Sequence, residues 1–320
     1  MRSFLLHAFL FIALISAALA TYVWINFDHF PAPKLSRNVS LNEQLLRVKR
    51  VLDGEWKYSK DGGVNILAIG SSMTLNNLNS GVVVDHFKDS SYLNTGAWGA
   101  RISQTNAIAS LLIDELKPRT VILVSNMDDW IKGEDYVVDT ALFRRYLTRW
   151  SPIEGYLQTM KPSFYLREME RNKERAKDPG HFDHLLLDDW GGAPLNVPAD
   201  RITEDRNRRA IPTRDNVNEE QYKALEDLSA MIAAKGCRLI FIQSPYRDGL
   251  QTPELRSIVA AHETRIRPII EAHGHTYIST TDRSWPDEMY LDPSHFRAEA
   301  AEEFTRYALG KLVLLMEEAR

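Results

Sequence analysis

The stretch Val64-Asn65-Ile66-Leu67-Ala68-Ile69-Gly70-Ser71-Ser72-Met73-Thr74 decides how the rest of the chain is read. A mostly aliphatic run stops at a glycine and two serines, the mark of a buried strand giving way to a polar turn. Consecutive apolar positions, rather than alternating ones, fit a strand covered on both faces, as in a parallel sheet under helices. Such sheets present reactive side chains beyond the carboxyl ends of their strands, which is where Ser72 stands.

The same rhythm continues downstream. Residues 82–87 read as helix or turn, and Ser91-Tyr92-Leu93-Asn94 as a short strand. Ile102–Leu116 reads as a helix with Ile108, Leu111, Leu112 and Leu116 on one face. Thr120-Val121-Ile122-Leu123-Val124 reads as a strand, residues 219–234 as a helix and Arg238–Gln243 as a strand. Residues 253–272 read as a helix, Thr276–Ser279 as a strand and residues 297–315 as a final helix. Strands alternating with helices predict an α/β fold of three layers, α/β/α, around a mainly parallel sheet. The segment from about residue 130 to 215 breaks the rhythm. It is polar, carries Trp130, Trp150 and Trp190, and reads as an inserted cap.

Upstream, residues 3–27 contain no Asp, Glu, Lys or Arg and are rich in Leu, Phe, Ile and Ala. A helix of about 20 such residues spans a bilayer core. Ala18-Leu19-Ala20 also fits the small-x-small pattern of signal-peptide cleavage. The apolar character runs on through Tyr22, Val23, Trp24, Ile25 and Phe27, which favours a retained N-terminal transmembrane helix with interfacial aromatics. Either way the remainder is exported, to the periplasm or cell surface. The expected organisation is an anchor over residues 1–27, a stalk over 28–60 opened by Pro31-Ala32-Pro33 and holding a short amphipathic helix from Asn42 to Leu52 with Leu45, Leu46 and Val48 among charges, and a catalytic domain over 61–320.

The 320 residues carry a net charge of -4, so no basic excess points to nucleic acid. The one cysteine, Cys237, excludes a disulfide within the chain and reads as a buried structural thiol.

A serine hydroxyl is a poor nucleophile until a base takes its proton. Tyr290-Leu291-Asp292-Pro293-Ser294-His295-Phe296 offers one: His295 to accept the proton, and Asp292 to orient the ring and stabilise the imidazolium. Each half alone has a plain structural reading, as a turn or a helix cap. Other candidates are weaker. His181-Phe182-Asp183-His184 holds two imidazoles on the polar insertion, where solvated side chains explain them as well as a metal site would. Arg247, following a strand, is a substrate-binding candidate for an anionic group, with Arg101 beside it in rank. The arginines between 201 and 214 are interleaved with Glu204 and Asp205, as a solvated loop would be. The three tryptophans suit sugar stacking or simple packing of the cap.

Taken in order, these pieces resemble the SGNH (GDSL-type) esterase and acyltransferase superfamily, over roughly residues 64–310 without the insertion. Gly70-Ser71-Ser72-Met73-Thr74 resembles its first block, with Ser71 where the family's aspartate stands. Asn94-Thr95-Gly96-Ala97-Trp98-Gly99 resembles the second block, Ser125-Asn126 the third and Asp292-Pro293-Ser294-His295 the last. The resemblance implies Ser72 as nucleophile, Asp292 and His295 as its partners, and an oxyanion hole built from Ser72, Gly99 and Asn126. The departures, Ser71 for aspartate and Ser125-Asn126-Met127 for a plainer Gly-x-Asn-Asp, look like the anchored branch that includes alginate O-acetyltransferases and the D-alanyl transfer protein of teichoic acid synthesis. That implies O-acyl transfer, acetyl above all, to an envelope or exported glycan, with no cofactor. The partners implied are a lipid- or protein-bound acyl donor, a glycan acceptor and a membrane-bound O-acyltransferase. An esterase of the same fold, or a non-catalytic subunit of a polysaccharide export or modification complex, is the alternative.

Overall fold

A computed structural model describes residues 2–25, 35–36, 38–56, 63–132, 136–149, 185–202 and 211–318. Five strands form one sheet: β1 (Ile66–Ala68), β2 (Tyr92–Asn94), β3 (Thr120–Ser125), β4 (Arg238–Gln243) and β5 (Thr276–Ser279). All neighbours are parallel, in the order β2-β1-β3-β4-β5. Nine helices accompany them among the described residues: α1 (Arg2–Ile25), α2 (Val39–Leu52), α3 (Ser72–Asn77), α4 (Ser80–His86), α5 (Ile102–Leu116), α6 (Thr140–Arg149), α7 (Glu220–Ala234), α8 (Pro253–Glu271) and α9 (Ala298–Glu318).

The strands alternate their side chains between two cores, as period-2 geometry requires. Leu67, Leu93, Val121, Leu123, Leu239 and Phe241 meet residues of α5, α7 and α8 on one face. Ile66, Tyr92, Ile122, Val124, Ile240 and Ile242 meet α4 and α9 on the other. The chain leaves β1 toward β2 and then crosses to β3 on β1's far side. The switch point therefore lies between the carboxyl ends of β1 and β3, where doubly wound sheets form their crevice.

Two expectations are corrected. Residues 28–60 are not a stalk throughout. α2 starts on Asn38, whose side chain accepts from the Leu41 amide, and buries Leu41, Leu45 and Val48 in the same core as β1 and β3. Each such side chain contributes on the order of 1.5–3 kcal/mol by burial, so the domain begins at or before Leu35, also buried there. The proposed cap is likewise tied in at both flanks. Trp130 is fully buried against Tyr222, Phe241 and His262. Phe143, Tyr146 and Leu147 of α6 join the α2 side of the core, and Leu195 and Val197 pack on Leu291. Trp190 is half-buried beside the second core; Trp150, His181 and His184 lie outside the described residues. Among the described residues no helix is long and apolar enough to cross a membrane. In the 24-residue α1, Phe4, Leu5, Phe9, Phe11 and Leu14 are exposed.

Candidate active site

Gly70 turns the chain out of β1 with φ +141°, and a Cβ there would fall 2.4 Å from Thr74 Oγ1 and 2.7 Å from Leu123 Cδ1. Only glycine allows so close an approach. Ser71 then caps α3, its hydroxyl accepting from the Met73 amide at 3.1 Å. Ser72 is thus the first residue of a helix rather than part of a polar turn, and its amide belongs to the first turn, which has no acceptor within the helix. Thr74 locks α3 to the sheet: its Oγ1 donates to the Ile69 and Val124 carbonyls, each at 2.9 Å.

The other half arrives from the far end of the chain. Asp292 and His295 lie on a tight loop closed by Leu291 N–H donating to the His295 carbonyl at 2.9 Å. Asp292 Oδ1 accepts from the backbone amides of Ser294 and His295 at 3.0 and 2.8 Å. The Asp292 carboxylate also lies 3.0 and 2.8 Å, by its two oxygens, from His295 Nδ1. A carboxylate only accepts, so Nδ1 carries the proton and Nε2 presents its lone pair. That lone pair faces Ser72 Oγ at 2.8 Å, across 223 positions of sequence. Asp292 and His295 are 1% and 5% exposed, whereas Ser72 is half-buried and reachable. Asn77, at the end of α3, clamps this loop: its Nδ2 donates to the Ser294 carbonyl at 2.9 Å and its Oδ1 accepts from the Phe296 amide at 3.0 Å.

Asn126 follows β3, fully buried. Its Oδ1 accepts from the Asp128 amide at 3.0 Å and so caps the 3₁₀ turn Met127–Trp130. That bond fixes the amide's orientation, and Nδ2 has no hydrogen-bond partner among the described residues. Gly99 lies in the exposed turn after β2, with φ +61° and open space at its Cα. The turn is propped by α2: Trp98 N–H donates to Ser40 Oγ at 2.8 Å and Asn38 Nδ2 donates to the Trp98 carbonyl at 2.6 Å. Asn94 fixes its start, donating from Nδ2 to the Thr74 carbonyl at 2.9 Å and accepting from the Gly96 amide at 2.9 Å.

Two acids on the 3₁₀ turn belong to this site and are missed by a reading of the sequence. Asp128 accepts from Tyr246 Oη and Ser294 Oγ, both at 2.8 Å. Asp129 Oδ2 accepts from Ser71 Oγ at 2.9 Å and from Ser125 Oγ. Burial raises both carboxyls, against the pull of those hydrogen bonds, and pushes Asp129 up to about 7. An acid three residues past Asn126 is the only linear signal, and acids after strands are ordinarily solvated.

The arginines fare differently. Arg247 leans its backbone on the triad loop, its N–H donating to the Pro293 carbonyl at 3.4 Å, but its guanidinium is engaged by Asp287 at 2.7 Å. Arg101 begins α5 and acts electrostatically on Asp129. Arg201 and Arg214 lie on exposed 3₁₀ turns, and residues 203–210 are outside the described set. No group of His, Cys, Asp and Glu suited to a metal ion occurs among the described residues.

Fold and site together define a doubly wound parallel α/β domain with a Ser–His–Asp constellation at its switch point. No protein-family profile matches the chain, and no curated protein matches it. Solved structures to which it is similar include a GDSL-like lipase from Bacteroides thetaiotaomicron, at 9% identity and TM-score 0.40, covering 86% of this chain and 100% of that one. An alpha/beta hydrolase from the metagenome of Lake Arreo shares 14% identity at TM-score 0.41, over 79% and 97% of the two chains. A point variant of an acetyl xylan esterase from Geobacillus stearothermophilus shares 12% at TM-score 0.40, over 77% and 94%. Likenesses this distant say nothing of what this chain acts on.

Proposed function

We propose that this chain is a serine acyl-ester enzyme working outside the cytoplasm, which moves an acyl group, acetyl above all, to a glycan through an acyl-enzyme on Ser72. The observation that carries the reading is the His295 imidazole held between Asp292 and Ser72, with Nε2 2.8 Å from the hydroxyl. As Ser72 Oγ attacks the ester carbonyl carbon, its proton passes to His295 Nε2. Asp292 stabilises the imidazolium without taking the proton. The negative oxygen that develops is met by the Ser72 and Gly99 amides and by Asn126 Nδ2. Collapse breaks the bond to the leaving alcohol, which departs with the proton from His295. A sugar hydroxyl, or water, then gives its proton to His295 and attacks the acyl carbon, and as the acyl–Oγ bond breaks Ser72 Oγ takes that proton back from His295.

Transfer and hydrolysis differ only in that last acceptor. The uncharged residues 3–27 favour transfer, because a retained anchor keeps the enzyme beside a membrane-bound donor. The donor would be lipid- or protein-bound, and a membrane-bound O-acyltransferase would supply it.

Labelling with a serine-reactive fluorophosphonate tests the chemistry: wild type should be modified on Ser72, and Ser72→Ala should not. An unlabelled wild type in folded form refutes the enzyme reading and leaves the non-catalytic subunit. A chromogenic acetyl ester, turned over with and without an oligosaccharide acceptor, then separates transferase from esterase. Protease added to spheroplasts should degrade the domain; protection until lysis refutes the topology.

A further inference from the structure

The nucleophile and the oxyanion donor come from different strands, and their spacing has to be set by something other than the sheet alone. Ser72 follows β1 and Asn126 follows β3. The residue immediately before each is a serine, and both serine hydroxyls donate to the same atom, Asp129 Oδ2. The backbone of Asp129 is tied to the same place, its N–H donating to the Asn126 carbonyl at 3.2 Å. We infer that Asp129 is a positioning residue, which holds the Ser72 loop and the Asn126 loop at one spacing by gripping Ser71 and Ser125 on a single carboxylate oxygen. The inference rests on the proposed roles of Ser72 and Asn126.

In its ionised form, above about pH 7, the carboxylate has no proton to give, so both hydroxyls are then constrained to point at it. Such charge-assisted bonds are roughly twice as strong as neutral ones. The Ser71 hydroxyl is thereby fully used: it donates to Asp129 and accepts from the Met73 amide, the bond that starts the helix carrying Ser72. The side chain is only 6% exposed, and a hydrocarbon of similar volume would be cheaper to bury. What the carboxylate supplies, and a hydrocarbon lacks, is a common acceptor for two hydroxyls from two strand ends. The charged groups facing it are Asp128, on the same turn, and Arg101, at the start of α5. Its side-chain hydrogen bonds go to Ser71 and Ser125, so its effect passes through those two serines.

The test uses the full chain with Asp129→Ala, Asp129→Asn and Ser125→Ala. The readouts are kcat and KM on a chromogenic acetyl ester, the rate of fluorophosphonate labelling, and amide hydrogen exchange over residues 69–75 and 124–128. Asp129→Ala should lower kcat about 10- to 100-fold, the scale of a small misplacement at a reacting centre, with KM within about twofold. Labelling should slow in proportion, and exchange should rise in both segments together. Asp129→Asn should recover most of the rate, since its Oδ1 still accepts. Ser125→Ala should cost less than Asp129→Ala and add little on top of it, as residues acting through one contact do. A folded Asp129→Ala with unchanged kcat and labelling overturns the inference, as does exchange rising in one segment alone. If Asp129→Ala does not fold, Ser125→Ala decides: unchanged kcat and labelling, or exchange that rises over residues 124–128 and not over 69–75, overturns it. If the folded wild type takes no label, the assignment of Ser72 falls, while the joint or separate response of the two segments still decides the role of Asp129.

Discussion

Replacing Asn126 separates a catalytic donor from a structural cap, because its two side-chain atoms do different things. Oδ1 caps the 3₁₀ turn through the Asp128 amide, and Nδ2 is left without a partner among the described residues. Asn126→Ala removes both. The lost cap should cost about 1 kcal/mol of stability, visible as a lower unfolding midpoint. The lost donor should cost about 2.7–4 kcal/mol of transition-state stabilisation, or roughly 10²–10³ in kcat. Asn126→Ser divides the two effects, since serine caps as well as asparagine but is too short to reach where Nδ2 now ends. It should restore most of the stability and none of the rate. Single-turnover acylation by a chromogenic ester, beside urea unfolding of the same samples, measures both. Acylation should remain detectable in each variant, because two backbone donors stay in place. If both variants fold and acylate within about twofold of wild type, Asn126 has no part in oxyanion binding, and the unpartnered Nδ2 has some other explanation.

Ser72→Ala and His295→Ala should each abolish turnover of the acetyl ester, and the double variant should be scarcely worse, because the residues act as a unit; additive losses would refute the shared role. Asp292→Asn should also reduce kcat, through the tautomer it imposes on His295, while leaving the fold intact by circular dichroism. Stability should fall as pH rises from about 4 to about 7: burial raises Asp129 to about 7, so the folded state holds a proton that the unfolded chain has lost, and that advantage fades as pH approaches the folded value. Urea unfolding at about pH 5 and about pH 8 should show the drop in wild type and a smaller one in Asp129→Asn, with Asp128, raised in the same direction, left to supply the remainder. A chain shortened to begin at residue 61 should express poorly or unfold at a markedly lower temperature than one beginning at residue 28, because the shorter one lacks α2; equal stability would contradict the packing of Leu41, Leu45 and Val48.

How much was legible follows from where each signal resides. Ile102–Leu116, Arg238–Gln243 and Thr276–Ser279 are found within the limits read from their apolar patterns, since long periodic runs and short aliphatic ones announce themselves. α3 does not. It is six residues long, and Thr74, Asn76 and Asn77 are buried on it, so no apolar stripe marks it; hydrogen bonds to the Val124, Ala193 and Ser294 carbonyls hold it in place. α2 is legible as an amphipathic helix, but nothing linear says that its apolar face meets the sheet or that Asn38 and Ser40 support the Gly99 turn. α6 hides in a polar segment although Phe143, Tyr146 and Leu147 have helical spacing. Arg247 looks available until the fold brings Asp287 to it from 40 positions away. Ser72, Asp292 and His295 are legible because serine chemistry demands those residue types, and the strand-end position of Ser72 supplies the geometry. Asp128 and Asp129 are not, because their partners, Ser71, Ser125, Tyr246 and Ser294, are hydroxyls on four separate stretches of the chain.

Those same groups carry an energetic argument about what the site is for. A buried donor without a partner costs about 1–3 kcal/mol, and folded proteins leave few of them. Asn126 Nδ2 is one. Others, at Trp130 Nε1, His262 Nε2 and the Gln243 amide, lie in the core or at the end of β4, and the proposed catalysis does not account for them. Asn126 differs from these in its connections: its own oxygen is fixed by Asp128, and the residue before it shares a carboxylate with the residue before Ser72. Asp129 is buried and Asp128 half-buried, both raised by burial, and their hydrogen-bond partners include Ser71, Ser125 and Ser294, the residues immediately before Ser72, Asn126 and His295. Interactions that are poor in the resting protein and satisfied only as charge develops on the substrate are the ones that raise kcat rather than tighten binding. If Asn126 donates to the oxyanion as proposed, its Nδ2 meets that partner only during the reaction. A structure with a phosphonate bonded to Ser72 should therefore place a negative oxygen within about 2.7–3.1 Å of Nδ2, with Asp128 and Asp129 unmoved. A phosphonate oxygen that turns away from Asn126 would leave the cost of that buried amide without a catalytic return.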